Sequence, residues 1–295
     1  MKAFILFITK LLGLLFLLLC LLDWAFTQVY LQDPNRNKIN SIYNSQKKDF
    51  DVIFLGSSRA NNHFVTSIFE KKGLKTYNYG MSGSHLYETV LMLELMLERD
   101  YKIKNVVIQI DLNICSDAPS AKHTAQFLPF IHDSKTIAKH LASQPQFDLW
   151  YYFPFYRYIE YGAVIGFREC WDTFREKPSS LLENGGFYPL KKQGRNMKNS
   201  LIGLKPIRNA SYEKIKLLCL QNNIRLIALT TPICENTKNR DYFADVTKVY
   251  PEIQRLDTLV KDDRYFATCG HMNEDGATIL TTKILHTYFN PVNKK

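Results

Sequence analysis

Residues 51–60 read DVIFLGSSRA, an apolar run from Val52 to Leu55 that stops abruptly at Gly56-Ser57-Ser58-Arg59. A short apolar segment bounded by a turn is the pattern of a strand covered on both faces, as in a parallel sheet. The residues after it, ANNHFVTSIFEKKG, carry helical spacing and stop at Gly73. The chain thus delivers two adjacent hydroxyls to a strand-to-helix turn, and the flanking pattern decides what kind of fold holds them.

That pattern alternates. KTYNYGM (75–81) reads as a second, more polar strand, and SHLYETVLMLELMLERD (84–100) as an amphipathic helix with Leu86, Val90, Leu93 and Leu97 on one face. KNVVIQIDL (104–112) is a third strand. After a pause from about 114 to 208 the alternation resumes with a helix at ASYEKIKLLCLQNN, a fourth strand at IRLIALTTP (224–232), a helix around DVTKVYPEIQRLDTLV, a short strand at RYFAT (264–268) and a closing helix at NEDGATILTTKILHTYF. Such an order predicts an α/β fold, a three-layer, doubly wound parallel sheet of the flavodoxin-like kind with an inserted helical segment. Ligands of such sheets bind beyond the carboxyl ends of the strands. Ser57 and Ser58, the MSGS turn, Asp111 to Asn113, the Thr-Thr-Pro turn and TCGHMN all fall there.

Leu11 to Leu22 reads LLGLLFLLLCLL, and with AFILFIT before it the apolar stretch reaches about 20 residues, enough to cross a bilayer as a helix. Lys2 and Lys10 lie on its N-terminal side, with Asp23 and Trp24 at its far end, so the positive-inside rule puts the N-terminus in the cytoplasm and the remainder outside. No small-x-small cleavage site follows, and Leu19 before Cys20 does not suit lipidation, so the expectation is an uncleaved signal anchor. The expected organisation is an anchor and flank at 1–27, a polar, Asn-rich stalk at 28–50, and one α/β domain at 51–290 with its insertion at 114–208. For a Gram-negative bacterium the domain would be periplasmic.

Cys115, Cys170, Cys219, Cys234 and Cys269 would then face an oxidising space, where disulfides persist. Cys234 and Cys269 each follow an expected strand and are the pair placed to approach one another, but spacing alone does not settle connectivity. His and Cys never cluster at ligand spacing, so neither a metal nor a cofactor is expected. The formal charge of +10 is spread along the chain. Without a compact run of Lys and Arg it reads as a basic solvated surface more readily than as a patch for an anionic polymer or lipid head group, and the compartment excludes nucleic acid.

A serine hydroxyl becomes a nucleophile when a base takes its proton, and an oxyanion hole must hold the charge that develops on the attacked carbonyl. The sequence offers Ser58 at the turn, with its backbone N–H, Gly83 in GMSGS, the amide of Asn113 in IDLN, and His271 before the last helix as base. His63 and His85 are substitute bases that read better as helix-surface residues. Gly80 is a substitute for Gly83 that reads better as a turn residue.

Gly-x-Ser after the first strand, NYGMSGS after the second, an Asn after the third and H-x-N-x-x-G before the last helix resemble the SGNH/GDSL hydrolase superfamily. The resemblance covers roughly 50–113 and 210–290. It implies Ser58 as nucleophile, the Ser58 N–H, Gly83 and Asn113 as oxyanion hole, and His271 as base. The anchor and the GSSR form resemble the superfamily's envelope branch, which moves or removes acyl groups, often acetyl, on extracytoplasmic polysaccharides. The implied partners are an envelope glycan or acylated sugar and a membrane protein that donates acyl groups.

Two positions depart from the pattern. The family usually has aspartate three residues before the histidine, where this chain has Thr268. A triad lacking that charge loses about four orders of magnitude in rate. Thr268 offers a neutral hydroxyl to orient the ring, and Asp262, Asp263 or Asp275 are the alternative carboxylates. Asp111 occupies a place where glycine is common, and an acid there opposes an oxyanion unless it turns away.

The plainer readings remain alongside. GSSR alone is a tight turn with a helix cap, Ser57 caps or lines the site, and Arg59 either binds an anionic group of the substrate or makes a surface ion pair. A phosphate-binding turn lacks the lysine of a phosphate loop, and a phosphate-ester hydrolase would need a metal. The aromatics Trp150 to Tyr158 suggest a sugar-stacking wall or a membrane belt, but their near continuity favours the private core of the insertion. Two functions stand: a serine esterase or acyltransferase working through an acyl-serine, and a binding or assembly protein that keeps the fold without the chemistry.

Overall fold

The computed structural model describes residues 1–33 and 35–289. The chain divides into two compact units, one made of Met1–Gln46 and Ala121–Pro178, the other of Lys47–Ser120 and the chain from Ser179 onward.

The second unit contains the sheet. Strands β1 (Asp49–Leu55), β2 (Thr76–Asn78), β3 (Lys102–Gln109) and β4 (Arg225–Leu229) lie in the order β2-β1-β3-β4. All pairings are parallel, with Ile53 opposite Tyr77 and Val106, and Val107 opposite Ile227. Alternation along the strands sorts their side chains. Val52, Phe54, Val107, Ile227 and Leu229 enter one core with Leu280, Ile284 and Leu285 of the closing helix α6 (Glu274–Tyr288), while the intervening Ile53, Leu55, Val106 and Ile108 are equally buried. Burial on both faces explains the unbroken apolar runs Val52–Leu55 of β1 and Val106–Ile108 of β3. Two amphipathic helices, α3 (Leu86–Glu98) and α5 (Ala210–Gln221), pack against each other.

Three local expectations change. RYFAT does not join the parallel sheet: β5 (Phe266–Thr268) pairs antiparallel with β6 (His271–Met272), and the place beside β4 is marked only by a single parallel bridge from Leu229 to Gln254. The helix after β1 is broken into α2 (Ser58–His63) and a second piece at Thr66–Glu70, because Phe64 and Val65 leave helical geometry. The helix expected around residues 245–260 runs only from Tyr242 to Val249, since Pro251 cannot continue it.

The first unit begins with α1 (Lys2–Gln32), one helix long and apolar enough to cross a membrane. Where a polar stalk was expected at 28–50, the chain is largely helical. α1 continues to Gln32 and a further helix spans Lys38–Asn44, whose cap Asn37 accepts the N–H groups of Ile39 and Asn40. The asparagines here cap and bridge: Asn40 and Asn44 both donate to the carbonyls of Tyr30 and Asp33, while Ile39, Ile42 and Tyr43 are buried. Of the expected insertion, 121–178 belongs to this unit as a set of short helices and 179–208 to the other. The aromatic run serves partly as private core. Trp150 and Tyr158 are buried, Tyr158 contacts Phe26 and Tyr30 of α1, and Tyr152 and Phe153 remain exposed.

Candidate active site

The site starts from a turn that demands glycine. Gly56 ends β1 at φ +134°, a conformation L residues rarely adopt, and a Cβ there would stand 2.8 Å from Gln109 Oε1. This sharp turn releases Ser57 as the cap of α2 and Ser58 as its first residue, both half-buried. The Ser58 N–H lies in the first helical turn, where no intrahelical carbonyl is available to it.

His271 arrives from the opposite end of the sequence on the β5–β6 hairpin. Its Nε2 lies 2.7 Å from Ser58 Oγ, and its Nδ1 lies 3.1 Å from Thr268 Oγ1. With Ser58 donating to Nε2, the ring carries its proton on Nδ1 and donates it to the Thr268 hydroxyl. Burial first, and then the Arg59 charge, hold the His271 pKa below the ordinary histidine value, with Asp111 pulling the other way. The ring is therefore neutral at neutral pH, with a lone pair directed at the serine.

The hairpin is held from two sides. Cys234 and Cys269 form a disulfide with Cα atoms 4.8 Å apart, and the Cys234 N–H also donates to the Cys269 carbonyl. On the other side His63, expected on a helix surface, is fully buried, and its Nε2 accepts the N–H of Met272 at 2.9 Å. Burial, the Arg59 charge and His271 keep His63 well below the usual histidine range, which preserves this acceptor. His63 thus supports the hairpin that carries His271 and makes no hydrogen bond to Ser58 among the described residues. His85 is also committed, with its Nδ1 2.7 Å from the Ala118 carbonyl at the start of α3.

Arg59 requires a correction. Expected either to bind an anionic group of the substrate or to make a surface ion pair, it is 3% exposed and spans the strand ends inside the protein. Its Nε lies 2.9 Å from Thr231 Oγ1 and 3.2 Å from Asp111 Oδ2, and its Nη2 donates to the Thr231 and Pro232 carbonyls. Asp111 completes the strut by accepting the N–H and hydroxyl of Thr231. The acid that threatened the oxyanion region thus has its charge neutralised by Arg59.

The remaining candidates line the same rim without bonding to Ser58. Ser57 donates from both N–H and Oγ to Gln109 Oε1, and Gln109 Nε2 donates to Asp111. Asn113 accepts the Asp111 N–H and donates one Nδ2 proton to the Gln109 carbonyl, and its second amide proton has no acceptor among the described residues. Gly83 sits exposed at φ +89° in a turn that Met81 ties to the end of β1 by donating its N–H to the Gly56 carbonyl. At Gly80 a Cβ would collide with the main chain of Ala60 and Asn61, so its role is close approach of the second turn to α2. The alternative carboxylates Asp262 and Asp263 bind Arg264 and the Met197 N–H, so the position beside Nδ1 belongs to Thr268.

Gln109 is not among the residues singled out from the sequence, and Thr231 is placed at the rim there only as part of the Thr-Thr-Pro turn, without its role in the strut. A glutamine closing an otherwise apolar strand was the available signal for the first; Thr231 gave none beyond its place after β4. A cavity of about 640 Å³ lies at the opposite, N-terminal ends of the strands, lined by Asp49, Asp51, Lys75 and Lys104 among others, and is distant from this chemistry. No group of His, Cys, Asp and Glu suited to a metal ion occurs among the described residues. Compared with known proteins, the chain matches no family model and no curated sequence.

Proposed function

We propose that this chain is a membrane-anchored, extracytoplasmic serine esterase or acyltransferase of the SGNH type, acting on an acylated envelope glycan. The observation that carries the reading is the 2.7 Å approach of His271 Nε2 to Ser58 Oγ across 213 residues of sequence. The order of the four segments around the parallel sheet and the disulfide, which suits an oxidising compartment, support it. Lys2 and Lys10 before the apolar run favour a cytoplasmic N-terminus, with the catalytic unit outside, periplasmic if the cell is Gram-negative.

In this mechanism the neutral His271 takes the Ser58 proton as Oγ attacks the ester carbonyl. The oxyanion is met by the N–H groups of Ser58 and Gly83 and by the second amide proton of Asn113. The imidazolium keeps its Nδ1–H on Thr268, then gives the Nε2 proton to the departing alkoxide, which leaves an acyl-serine. A sugar hydroxyl or water, deprotonated by His271, attacks that ester and restores Ser58. An acyl-donor protein in the membrane is the partner a transferase would require.

Turnover of a chromogenic acetyl ester by the full chain tests the reading. Ser58→Ala and His271→Ala should each lower the rate by about 1000-fold or more. Activity indifferent to both substitutions sinks the assignment. A second reading, a glycan-binding or assembly protein, rests on the neutral Thr268 beside Nδ1, and is favoured if no form of the protein turns over an ester while the chain still binds envelope glycan.

A further inference from the structure

The first unit exposes an aromatic face that water does not explain. On helix α4 (Phe167–Phe174), Phe167, Trp171 and Phe174 recur at one-face spacing and are 74%, 49% and 64% exposed. They stack successively, Phe167 on Trp171 and Trp171 next to Phe174. The reverse side of the same helix is anchored. Thr173 is buried there, and Glu169 and Asp172 pair with Arg36. The polar side of this amphipathic helix is therefore satisfied inside its unit, while its three aromatic rings stay largely exposed among the described residues.

Between this face and α1 runs a groove of about 250 Å³, lined by Ala25, Phe26 and Val29 of α1 and by Phe167, Cys170, Trp171 and Phe174. One wall of it is the helix read as the membrane anchor, which names the occupant. After Lys10 the uninterrupted apolar run Leu11–Leu22 is twelve residues, about 18 Å of helix at 1.5 Å per residue. A bilayer core of about 30 Å needs about 20 residues, which, counted from Leu11, reaches Tyr30 and takes in the groove-lining positions. The one acid in that extension is neutralised: Asp23 Oδ2 lies 3.0 Å from Nη2 of the buried Arg157, which also donates to Thr27.

We propose that the aromatic face of α4 and its groove against α1 are immersed in the bilayer, at the leaflet where α1 emerges, and that lipid acyl chains fill the groove. The immersed face widens the apolar surface that α1 presents beyond Leu22 and lies at the interface as amphipathic helices do. This rests on the reading of α1 as membrane-spanning and is independent of any role for Ser58.

The full chain is reconstituted in phosphatidylcholine vesicles with plain acyl chains or chains brominated at carbons 6 and 7, and tryptophan fluorescence is compared for the protein, Trp24→Phe and Trp171→Phe. The loss of quenching in each variant isolates the contribution of that tryptophan, and both substitutions are conservative at exposed positions. Trp171 should be quenched by bromolipid at least about half as strongly as Trp24, as expected for side chains in the interfacial aromatic layer, and be shielded from aqueous acrylamide. Bromolipid quenching confined to Trp24, with Trp171 open to acrylamide, overturns the proposal and leaves the anchor standing. Quenching of neither residue overturns both. Trp171 shielded from both quenchers in a chain that runs as a dimer also overturns it, by assigning the face to a second copy.

Discussion

Ser58 and Arg59 are neighbours in the chain, yet they end in opposite environments. Ser58 heads a half-exposed, uncharged chain through His271 to Thr268, and Arg59 enters a buried, charged strut with Asp111 and Thr231. Successive residues of a helix point about 100° apart, so one helical turn can serve two tasks. The proposed chemistry needs an accessible hydroxyl with a neutral base. The frame needs a cation shut away from water, where its bonds to carbonyls and to a carboxylate hold the ends of the strands together. The comparison teaches that the most conspicuous charge in GSSR belongs to the frame.

The largest effect that can break this division is on Arg59. Arg59→Met strands Asp111 as a buried, uncompensated charge and should destabilise the fold by about 3–5 kcal/mol, measured by denaturant unfolding. Adding Asp111→Asn should recover part of the loss. An Arg59→Met penalty within about 0.5 kcal/mol, the range of ordinary surface changes, shows that the strut carries no strain-bearing role.

The disulfide comes next. Cys234→Ser with Cys269→Ser opens a loop with a sequence separation of 35, and should cost about 2–4 kcal/mol. Cys269 sits between Thr268 and His271, so ester turnover should fall further than stability explains. Turnover retained under conditions where the variant is fully folded separates the base from its staple.

Thr268 sharpens the comparison by adding charge to the neutral chain. Thr268→Asp should raise turnover by about 10-fold or more, because a carboxylate stabilises the imidazolium, and should move the acid limb of the pH–rate profile upward. A slower enzyme with an unmoved limb makes the hydroxyl the required partner.

The smallest effect is on pH. His63 and His271 both have folded pKa values below the ordinary value of about 6.5. The unfolded chain therefore binds protons first as pH falls. Stability is complete above about pH 6.5 and is lost as pH drops through that value towards the folded pKa values. His63→Gln, which keeps an acceptor for the Met272 N–H, should flatten the acid slope of unfolding free energy by at most one proton, about 1.4 kcal/mol per pH unit. An unchanged slope removes His63 from the account.

Much of the frame is legible in the sequence. Val52 to Leu55 and Val106 to Ile108 announce buried strands because a strand covered on both faces has no polar side to show. Gly56 marks the turn because a positive φ admits little else. The β5–β6 hairpin was not legible. Phe266 to Thr268 has the composition of a strand, but only its partner decides whether it joins a sheet or folds back on itself. His271 was the expected base from its motif, with His63 and His85 as substitutes, but its reach to Ser58 depends on how segments 213 residues apart are brought together.

The sequence by itself determined the elements whose signal is local: the apolar helix α1, the parallel α/β alternation and the glycine-bounded serine turn, all of which follow from hydropathy, side-chain period and allowed backbone angles. Only the tertiary structure decided which histidine meets Ser58, that Arg59 is buried against Asp111, that Cys234 pairs with Cys269, and that the asparagines after α1 cap helices. Those outcomes depend on burial and on distances between remote segments, quantities that arise when the core excludes water; the order of residues names candidates for them without fixing the geometry.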